Sequence, residues 1–169
     1  MTTRRTLLGL LAALPLAAPA FAPALAAARY AVSYTPDEWR RRLGADAFAV
    51  LREQATERPF TSPLNKEKRV GTFVCRGCGQ PLFSSAHKFD SGTGWPSFWQ
   101  PINRAAIGTE VDRSYFMVRT EVHCSRCGGH QGHVFDDGPK PTGLRYCING
   151  LALTFVPAAA RVGVVAGAV

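Results

Sequence analysis

Four of the five cysteines form two Cys-x-x-Cys pairs, and this spacing constrains the fold more than any other feature of the sequence. The pairs are Cys75 and Cys78 in CRGCG, and Cys124 and Cys127 in CSRCGG. Two intervening residues let both sulfurs of a pair reach one ion. Because 45 residues separate Cys78 from Cys124, a shared ion would tie two distant hairpins together. We expect one structural zinc ion with four thiolate ligands.

Two other interpretations of these pairs stay open at the level of sequence. Two disulfides are plausible in an exported protein, and a single Cys-x-x-Cys pair can be a redox centre. No thioredoxin-like βαβ pattern surrounds either pair, which disfavours a thiol–disulfide oxidoreductase. Glycine-containing turns at both pairs favour four ligands to one metal over two separate bridges.

The first 28 residues have the layout of a cleavable export signal. A basic start with Arg4 and Arg5 precedes an apolar stretch and small residues, with cleavage expected after Ala26 or Ala28. The alternative is a membrane anchor, but three prolines interrupt the stretch and disfavour a spanning helix. The paired arginines resemble a twin-arginine signal. That route exports folded proteins, so zinc would be loaded in the reducing cytoplasm before the protein reaches the periplasm.

Residues 29–169 are expected to form one domain, with a core at about 35–156 and a short tail at 157–169. The formal net charge of +8 falls to +6 without the signal segment, which carries two arginines and no acidic residue. Zinc bound by four thiolates lowers it to about +4. This mild charge does not indicate a nucleic-acid partner. We expect a monomer with no stable membrane association after signal removal.

Local signals predict two short helices followed by an antiparallel β domain. Thr35 is a candidate N-cap before Pro36, and Gly44 divides the helical pattern in two. The candidate buried residues of these helices are Trp39, Leu43, Phe48 and Leu51. From residue 71 the sequence changes to short β-like runs, which are GTFVC, PLFSS, FWQPI, SYFMVRTEVHC, GLRYCING and LALTFVP. The predicted fold class is mainly β: a small antiparallel barrel-like or two-sheet domain with short N-terminal helices and a structural zinc site.

Cys147 is the one cysteine outside the two pairs. A lone cysteine in an exported chain is either a small buried hydrophobe or a reactive thiol. Arg145 lies two residues before it and, on a strand, shares its face and can stabilise a thiolate. Asn149 lies two residues after it and carries an amide that can orient a substrate or a ring nitrogen. These neighbours favour a reactive thiol.

A second polar cluster, GGHQGHVFDD at residues 128–137, directly follows the second cysteine pair. His130 and His133 could ligate a metal, but four sulfurs already fill a tetrahedral site. Surface histidines without a function are the other alternative. With Asp136 and Asp137 beside them, the histidines are candidates for a proton-donating pair that a carboxylate orients. We expect the metal-bound hairpin to hold this segment as a loop.

The stretch SGTGWPSF at residues 91–98 is a loop signal, because Gly and Pro both interrupt regular elements. It places Trp95 directly before Pro96, and Thr93 between two glycines. Trp95 is either a core residue or an aromatic side chain that contacts a ligand. The flanking glycines favour the second interpretation.

These motifs together resemble the methionine sulfoxide reductases of the B type. The matching segments are KFDSGTGWPSFWQPI, RTEVHCSRCGGHQGHVFDDGPKPTGLRYCING and the two Cys-x-x-Cys pairs, and the similarity runs from about Thr35 to Phe155. The resemblance implies a small β-barrel-like domain that reduces the R epimer of methionine sulfoxide. The implied substrates are methionine-oxidised proteins, and the implied reductant is a thioredoxin-like or other external thiol.

The resemblance also implies a role for each site residue. Cys147 is the nucleophile and becomes a sulfenic acid, His133 is the first candidate for the acid that protonates the sulfoxide oxygen, and His130 supports it. Trp95 corresponds to the aromatic side chain that packs against the substrate methyl group. The positions that shape the thiolate and the histidine pair correspond to Arg145, Asp137 and Asn149.

One position departs from the common pattern of the family. Many members have a cysteine between the two glycines of the SGTGWPSF loop, and that cysteine resolves the sulfenic acid as an intramolecular disulfide. Thr93 occupies this position here, and the four paired cysteines are assigned to metal. We therefore expect an external thiol or a thioredoxin-like partner to reduce the Cys147 sulfenic acid directly.

A zinc-bearing β module that only binds a ligand is the alternative class of protein. Such a module needs neither a reactive thiol nor an acid pair, so Cys147, His130 and His133 favour an enzyme. The function predicted from the sequence is repair of exported proteins damaged by methionine oxidation.

Overall fold

The computed structural model describes residues 30–159. The predicted signal segment at 1–28 and most of the predicted tail lie outside these residues, so both stay predictions. Two short α-helices precede nine β-strands in the described part of the chain, and the strands form two antiparallel sheets. This architecture confirms the predicted mainly β, two-sheet class. Within residues 30–159, no helix is both long and apolar enough to cross a membrane.

The helices form where their sequence signals lie. α1 spans Pro36–Leu43 and α2 spans Ala45–Glu53. The Thr35 hydroxyl caps α1 by accepting a hydrogen bond from the Glu38 backbone N–H at 3.3 Å. Gly44 separates the helices at a φ of 76°, which glycine adopts at little cost. The apolar residues predicted to be buried are all buried; they are Trp39, Leu43, Phe48 and Leu51.

The nine strands are short and divide into sheets of three and six. They are β1 (Gly71–Cys75), β2 (Pro81–Ser84), β3 (Lys88–Phe89), β4 (Ser97–Phe98), β5 (Ile107–Asp112), β6 (Arg119–Cys124), β7 (His130–Phe135), β8 (Arg145–Ile148) and β9 (Leu153–Pro157). The smaller sheet has the order β2–β1–β9, and the larger has the order β3–β4–β8–β7–β6–β5. All neighbouring strands in both sheets are antiparallel.

The two sheets pack against each other through aromatic side chains. The ring centroid of Phe98, in the larger sheet, lies 4.9 Å from that of Phe73 and 4.5 Å from that of Phe83, both in the smaller sheet. Side chains alternate along a strand, so β8 buries Ile148 in this core and turns Cys147 to the opposite face. Burial of the apolar set therefore fixes the face on which Cys147 lies.

Two strands form where the sequence shows no β pattern. β7 has the sequence HQGHVF, which is predicted as a loop, yet it pairs with β6 on one side and β8 on the other. β5 lies in another stretch that is not predicted as a strand. Conversely, the predicted run SYFMVRTEVHC becomes a strand only from Arg119. Pairing with neighbouring strands decides these assignments, because intrinsic β propensity is weak and depends on context.

Candidate active site

Each Cys-x-x-Cys pair lies at the turn of a hairpin, and the two turns have the same hydrogen-bond pattern. The Cys75 backbone N–H donates to the Gln80 carbonyl at 2.8 Å, and the Cys75 carbonyl accepts from the Gly79 N–H at 2.8 Å. Cys124 makes the equivalent two bonds, at 2.9 and 2.8 Å, with the two glycines after the second pair. One hairpin belongs to the three-stranded sheet and the other to the six-stranded sheet. The cysteine cluster therefore joins the two sheets.

The four sulfurs fit a tetrahedral metal site. All four Sγ atoms lie within 4.8 Å of one another. Cys75 and Cys127 are 3.6 Å apart at Sγ, and Cys78 and Cys124 are 3.5 Å apart. Metal–sulfur bonds of about 2.3 Å place tetrahedral ligands about 3.8 Å apart, whereas a disulfide requires about 2.05 Å. All four are free cysteines, so the cluster is compatible with one structural metal ion and does not show two bridges.

A cation explains how four sulfurs can share this buried space. Hydrogen bonding to Cys124 raises the pKa of Cys75 but lowers the pKa of Cys78. The protonation states of the neighbouring thiols therefore depend on one another. A divalent metal allows all four to be thiolates. Gln131 adds a neutral donor, because its Nε2 lies 3.7 Å from the Cys75 Sγ.

The register of the six-stranded sheet places Cys147 within a row of polar side chains. Cys147 on β8 lies opposite Ser97 on one side and opposite His133 on the other. Glu121 on β6 continues the row, because it lies opposite His133. Directly opposed residues have Cβ atoms about 4.5–5.5 Å apart. The predicted nucleophile and the predicted acid are therefore cross-strand neighbours.

A β-bulge brings His130 onto the same face as His133. The β6–β7 register shifts between Val122 and His123, which leaves Gln131 as an extra residue in β7. Without the bulge, two residues three positions apart on a strand would point to opposite faces. With it, the two imidazole centroids lie 5.5 Å apart. The histidine pair therefore depends on one inserted residue.

Asn149 holds this bulge from behind. Its backbone N–H and its Nδ2 both donate to the Gln131 carbonyl, at 2.8 and 3.1 Å. Its Oδ1 accepts from the Glu57 backbone N–H at 3.0 Å. The side chain is buried and both of its polar atoms are bound to backbone groups. Contrary to the expectation from sequence, the amide does not face a ring nitrogen or open space for a substrate, and it acts on the histidines through the backbone of β7.

Gly132 lets β7 lie close to β8 at the candidate nucleophile. Its φ is 153°, and a Cβ at this position would collide with the carbonyl oxygen of Cys147. A larger residue here would push the bulged strand away from β8. The glycine next to His133 therefore contributes to the distance between the thiol and the imidazole.

Carboxylates from β5 and β6 orient the two imidazoles. The His130 Nδ1 lies 2.6 Å from the Glu121 Oε1, and the His133 Nε2 lies 2.8 Å from the Asp112 Oδ2. The hydrogen bond from His130 lowers the pKa of Glu121. Hydrogen bonds from Ser114 hold the pKa of Asp112 well below its usual range. Both groups are therefore carboxylates at neutral pH, and the ring nitrogens that face them donate.

These carboxylates differ from the ones that the sequence predicts. Asp136 and Asp137 follow the histidines in the chain, but Asp137 binds Arg145 instead, with Nε and Nη2 donating at 2.8 Å each to its two oxygens. Glu121 and Asp112 are missed because only the pairing of β5, β6 and β7 brings them to the histidines. Their residue types give no local signal.

Burial has the largest effect on the pKa of Cys147, the candidate nucleophile. It raises the pKa of the half-buried Cys147 above the usual value of 9.0, although a hydrogen bond with Thr93 and the charge of Arg145 both oppose the shift. Arg145 lies on the same face, as predicted, but its exposed partner Asp137 offsets part of its charge. Cys147 is therefore a thiol at neutral pH in the substrate-free site.

Trp95 lies on the loop between β3 and β4, and this loop contacts Cys147 through Thr93. The Thr93 Oγ1 lies 3.8 Å from the Cys147 Sγ. The Trp95 indole N–H donates to the Glu57 carbonyl at 3.1 Å. Its half-buried ring lines a cavity of about 190 Å³ together with Phe60. The ring is thus held in place by a backbone contact while part of it stays accessible to a ligand.

A cavity of about 550 Å³ opens beside the histidine pair. His130, His133 and the two carboxylates that orient them line it, together with Glu53 at the end of α2 and the three residues that follow. The His130 Nε2 is buried and has no hydrogen-bond partner among the described residues. A larger cavity of about 730 Å³ lies next to Glu57 and contains none of the predicted site residues. The lining of the histidine cavity includes neither Cys147 nor Trp95, so this cavity is the candidate for the histidine side of the substrate site.

A thiol opposite a carboxylate-held histidine pair, on a β fold joined by a four-cysteine cluster, defines a cysteine-dependent enzyme. Residues 43–157 match the SelR domain family. Peptide methionine sulfoxide reductase MsrB of Bradyrhizobium diazoefficiens is 57% identical over 121 residues, which cover 72% of this chain and 87% of that protein. The MsrB of Hahella chejuensis is 52% identical over 124 residues, which cover 73% of this chain and 89% of that protein. The chain therefore belongs to the methionine sulfoxide reductase B family, which confirms the resemblance found in the sequence.

Proposed function

We propose that this protein reduces the R epimer of methionine sulfoxide in proteins to methionine through a sulfenic acid on Cys147. The observation that carries the proposal is the strand register that places Cys147 opposite His133, with His130 brought alongside by the bulge. The names of the relatives, peptide methionine sulfoxide reductases, support this class of substrate.

The protonation states of the resting site define where the proton starts. Burial lowers the pKa of His133 below the usual 6.5, so a neutral imidazole lies opposite the Cys147 thiol. Asp112 accepts from the His133 Nε2, which leaves Nδ1 as the ring atom that can take the thiol proton. The resulting imidazolium is the acid that the reaction needs, because sulfoxide sulfur is a poor electrophile until its oxygen is protonated.

The first half-reaction transfers the sulfoxide oxygen to Cys147. The Sγ attacks the sulfoxide sulfur to form a sulfur–sulfur bond while the oxygen is protonated. The oxygen then moves to Sγ as its bond to the substrate sulfur breaks, the sulfur–sulfur bond breaks, and methionine leaves with Cys147 as –S–OH. The cysteine sulfur is oxidised by two electrons and the methionine sulfur is reduced by two. A thiol reductant then forms a mixed disulfide with loss of water. A second thiol releases that reductant as a disulfide and restores Cys147.

The family resemblance also implies selection of one epimer. A sulfoxide sulfur is pyramidal, so its methyl group, its oxygen and the methylene toward the peptide each need a separate place. We assign the oxygen to the histidine pair and the methyl group to Trp95, with the peptide toward solvent. The opposite epimer would place its methyl group against charged and polar groups. The assignment of this handedness to the R epimer rests on the family resemblance.

A stereospecific assay tests this function. Peptides that carry R or S methionine sulfoxide are incubated with the zinc-loaded protein and with dithiothreitol or thioredoxin as reductant. We expect reduction of the R peptide only, with dithiothreitol as an effective reductant. Reduction of the S peptide, or of neither peptide, would overturn the proposed activity.

The same reaction, limited to one turnover without reductant, tests the intermediate. Mass spectrometry is expected to show Cys147 as a sulfenic acid or its trapped adduct. The variant Thr93→Cys is the matched control, because position 93 lies in contact with the Cys147 Sγ, and it is expected to give an intramolecular disulfide instead. A Cys147 disulfide in the unmodified protein would contradict direct reduction by an external thiol.

The activity should depend on two ionisations. The reactive pair has lost one proton in total, so kcat/KM should fall as the pH drops through the pKa of His133, below 6.5, and as it rises through the pKa of Cys147, above 9.0. Between them we expect a plateau. In His133→Asn the limb set by the His133 ionisation should disappear. The much lower kcat/KM of this variant should instead rise continuously with pH up to the Cys147 ionisation. An unchanged acid limb in this variant would remove His133 from the mechanism.

We further propose that the metal is zinc and that the protein repairs exported proteins in the periplasm. Four thiolates are the ligand set that structural zinc prefers, and the N-terminal Arg4–Arg5 segment supports export by the twin-arginine route. Recovery of the mature protein only from the cytoplasmic fraction of the cell would contradict this location.

A further inference from the structure

Three hydroxyl side chains connect Cys147 to the backbone of the loop that carries Trp95. The Thr93 Oγ1 lies 3.8 Å from the Cys147 Sγ, and the Ser91 Oγ lies 2.8 Å from the Thr93 Oγ1. The Ser91 Oγ is also 2.7 Å from the Ser97 Oγ, which donates to the Trp95 carbonyl at 3.1 Å. The contacts form an unbroken chain from the reacting sulfur to a carbonyl oxygen.

While Cys147 is a thiol, the Trp95 carbonyl determines which hydroxyl donates and which accepts in each contact of the chain. A carbonyl oxygen only accepts, so Ser97 donates to it and accepts from Ser91. Ser91 has then used its proton, and it accepts from Thr93. Thr93 in turn accepts from the Cys147 S–H group. Each hydroxyl gives one hydrogen bond and receives one along the chain, and the Ser91 Oγ also accepts from the Thr93 backbone N–H at 3.5 Å.

We propose that Thr93, Ser91 and Ser97 stabilise the thiolate of Cys147 by reversing this hydrogen-bond chain when the thiol loses its proton. The inference rests on the proposed function and deepens it. It gives the loop a role in forming the nucleophile, at the position where the family resemblance implies a resolving cysteine in many members. Thr93 touches the reacting sulfur, and the two serines are positioning residues.

Rotation of three hydroxyl groups is sufficient for the reversal, because the heavy atoms already lie at hydrogen-bond distances. Ser97 then donates to Ser91, Ser91 to Thr93, and Thr93 to the thiolate. The bond that is lost, to the Trp95 carbonyl, is the longest oxygen–oxygen contact of the chain. The bond that is gained is charge-assisted, and such bonds are roughly twice as strong as neutral ones. Ser97 is fully buried, so bulk water does not compete at that end.

The charged groups around Cys147 on the neighbouring strands have partners of their own. On the loop side of the sulfur, the hydrogen-bonding groups are the hydroxyls of the chain. On β8, Arg145 is paired with Asp137, and its charge and a hydrogen bond from it also act to lower the pKa of Cys147. On β7, the His133 ring donates to a carboxylate of β5. The loop therefore offers the sulfur a neutral donor, whose strength depends on the hydroxyl behind it.

The test is the pH dependence of Cys147 alkylation in the zinc-loaded full chain, which requires no sulfoxide turnover. Iodoacetamide is the probe, and mass spectrometry of the Cys147 peptide gives the rate. Thr93→Val, which keeps the shape and removes the hydroxyl, should raise the pKa of Cys147 and slow alkylation near neutral pH about tenfold, the equivalent of one pKa unit. Ser91→Ala should slow alkylation about threefold. Thr93 can still donate to the thiolate, but its hydroxyl no longer accepts a hydrogen bond from Ser91 that strengthens it as a donor.

Thr93→Ser is the matched control, and its rate should stay within about twofold of the unmodified protein because the hydroxyl is retained. Thermal unfolding and zinc content show that each variant is folded. If Thr93→Val alkylates at the unmodified rate, the inference is wrong. If only Thr93→Val is slowed and Ser91→Ala is not, Thr93 acts alone and the chain is refuted. The alkylation rate depends on the fraction of Cys147 that is thiolate and not on sulfoxide reduction. The outcome of this test can therefore be distinguished from failure of the proposed activity in the sulfoxide assay.

Discussion

Replacing Cys147 by serine is expected to lower kcat for methionine sulfoxide reduction by more than about 1000-fold. The sulfur is the atom that attacks the sulfoxide and then carries its oxygen, and a serine oxygen can do neither. No other cysteine can substitute, because the remaining four are gathered in the cluster between the two sheets. The measurement is single-turnover reduction of an R sulfoxide peptide, which separates the chemical step from recycling by the thiol.

The same variant should remain folded. Cys147 is only half-buried and its backbone is held by pairing with β4 and β7, so a near-isosteric change should leave the thermal midpoint within a few degrees. Zinc content should stay at one ion per chain. Residual activity within about tenfold of the unmodified protein would show that another thiol performs the reaction, and the oxidoreductase interpretation of the Cys-x-x-Cys pairs would return.

Replacing Cys124 by serine is expected to cause the largest loss of stability. The cluster joins the hairpin of the three-stranded sheet to that of the six-stranded sheet, so a metal bound there would contribute directly to folding. Structural zinc sites of this kind bind with about 10 kcal/mol or more, a value comparable to the whole stability of a small domain. We expect loss of the metal and a decrease of the melting temperature by more than about 15 °C. Calorimetry and elemental analysis measure both effects.

Cys147→Ser and Cys124→Ser serve as controls for each other. The first should lose activity and keep metal and stability, whereas the second should lose metal and stability and, as a consequence, activity. A strong chelator added to the unmodified protein should reproduce the second pattern. Isolation of an active, metal-free protein with two disulfides would contradict the structural role assigned to zinc.

The local features of this fold could be predicted from the sequence because each depends on neighbouring residues. Thr35, Pro36 and Gly44 mark the helix ends by capping and turn geometry, which act over a few residues. The two cysteine pairs likewise form turns whose hydrogen bonds lie within six residues. The predicted helices, their buried side chains and the four-cysteine cluster all appear in the structure.

The features that were missed depend on residues distant in sequence. β7 contains two histidines, a glutamine and a glycine, and it is a strand only because β6 and β8 pair with it on both sides. The choice of Asp112 and Glu121 as partners of the histidines follows from those pairings. Asp137 is nearer in sequence but lies beside Arg145. Sequence proximity is a poor guide here because cross-strand neighbours are set by register.

The sequence by itself determined which chemical groups this protein brings to the site: a lone cysteine, the two histidines of the GGHQGH segment, two Cys-x-x-Cys pairs and a threonine between the glycines of the SGTGWPSF loop. Only the tertiary structure decided how these groups meet. A one-residue bulge at Gln131 turns His130 to the face of His133, and strand register sets that pair opposite Cys147. The physical reason is that side chains alternate along a strand, so one extra residue reverses every direction beyond it. The residue types near Gln131 do not predict this register shift.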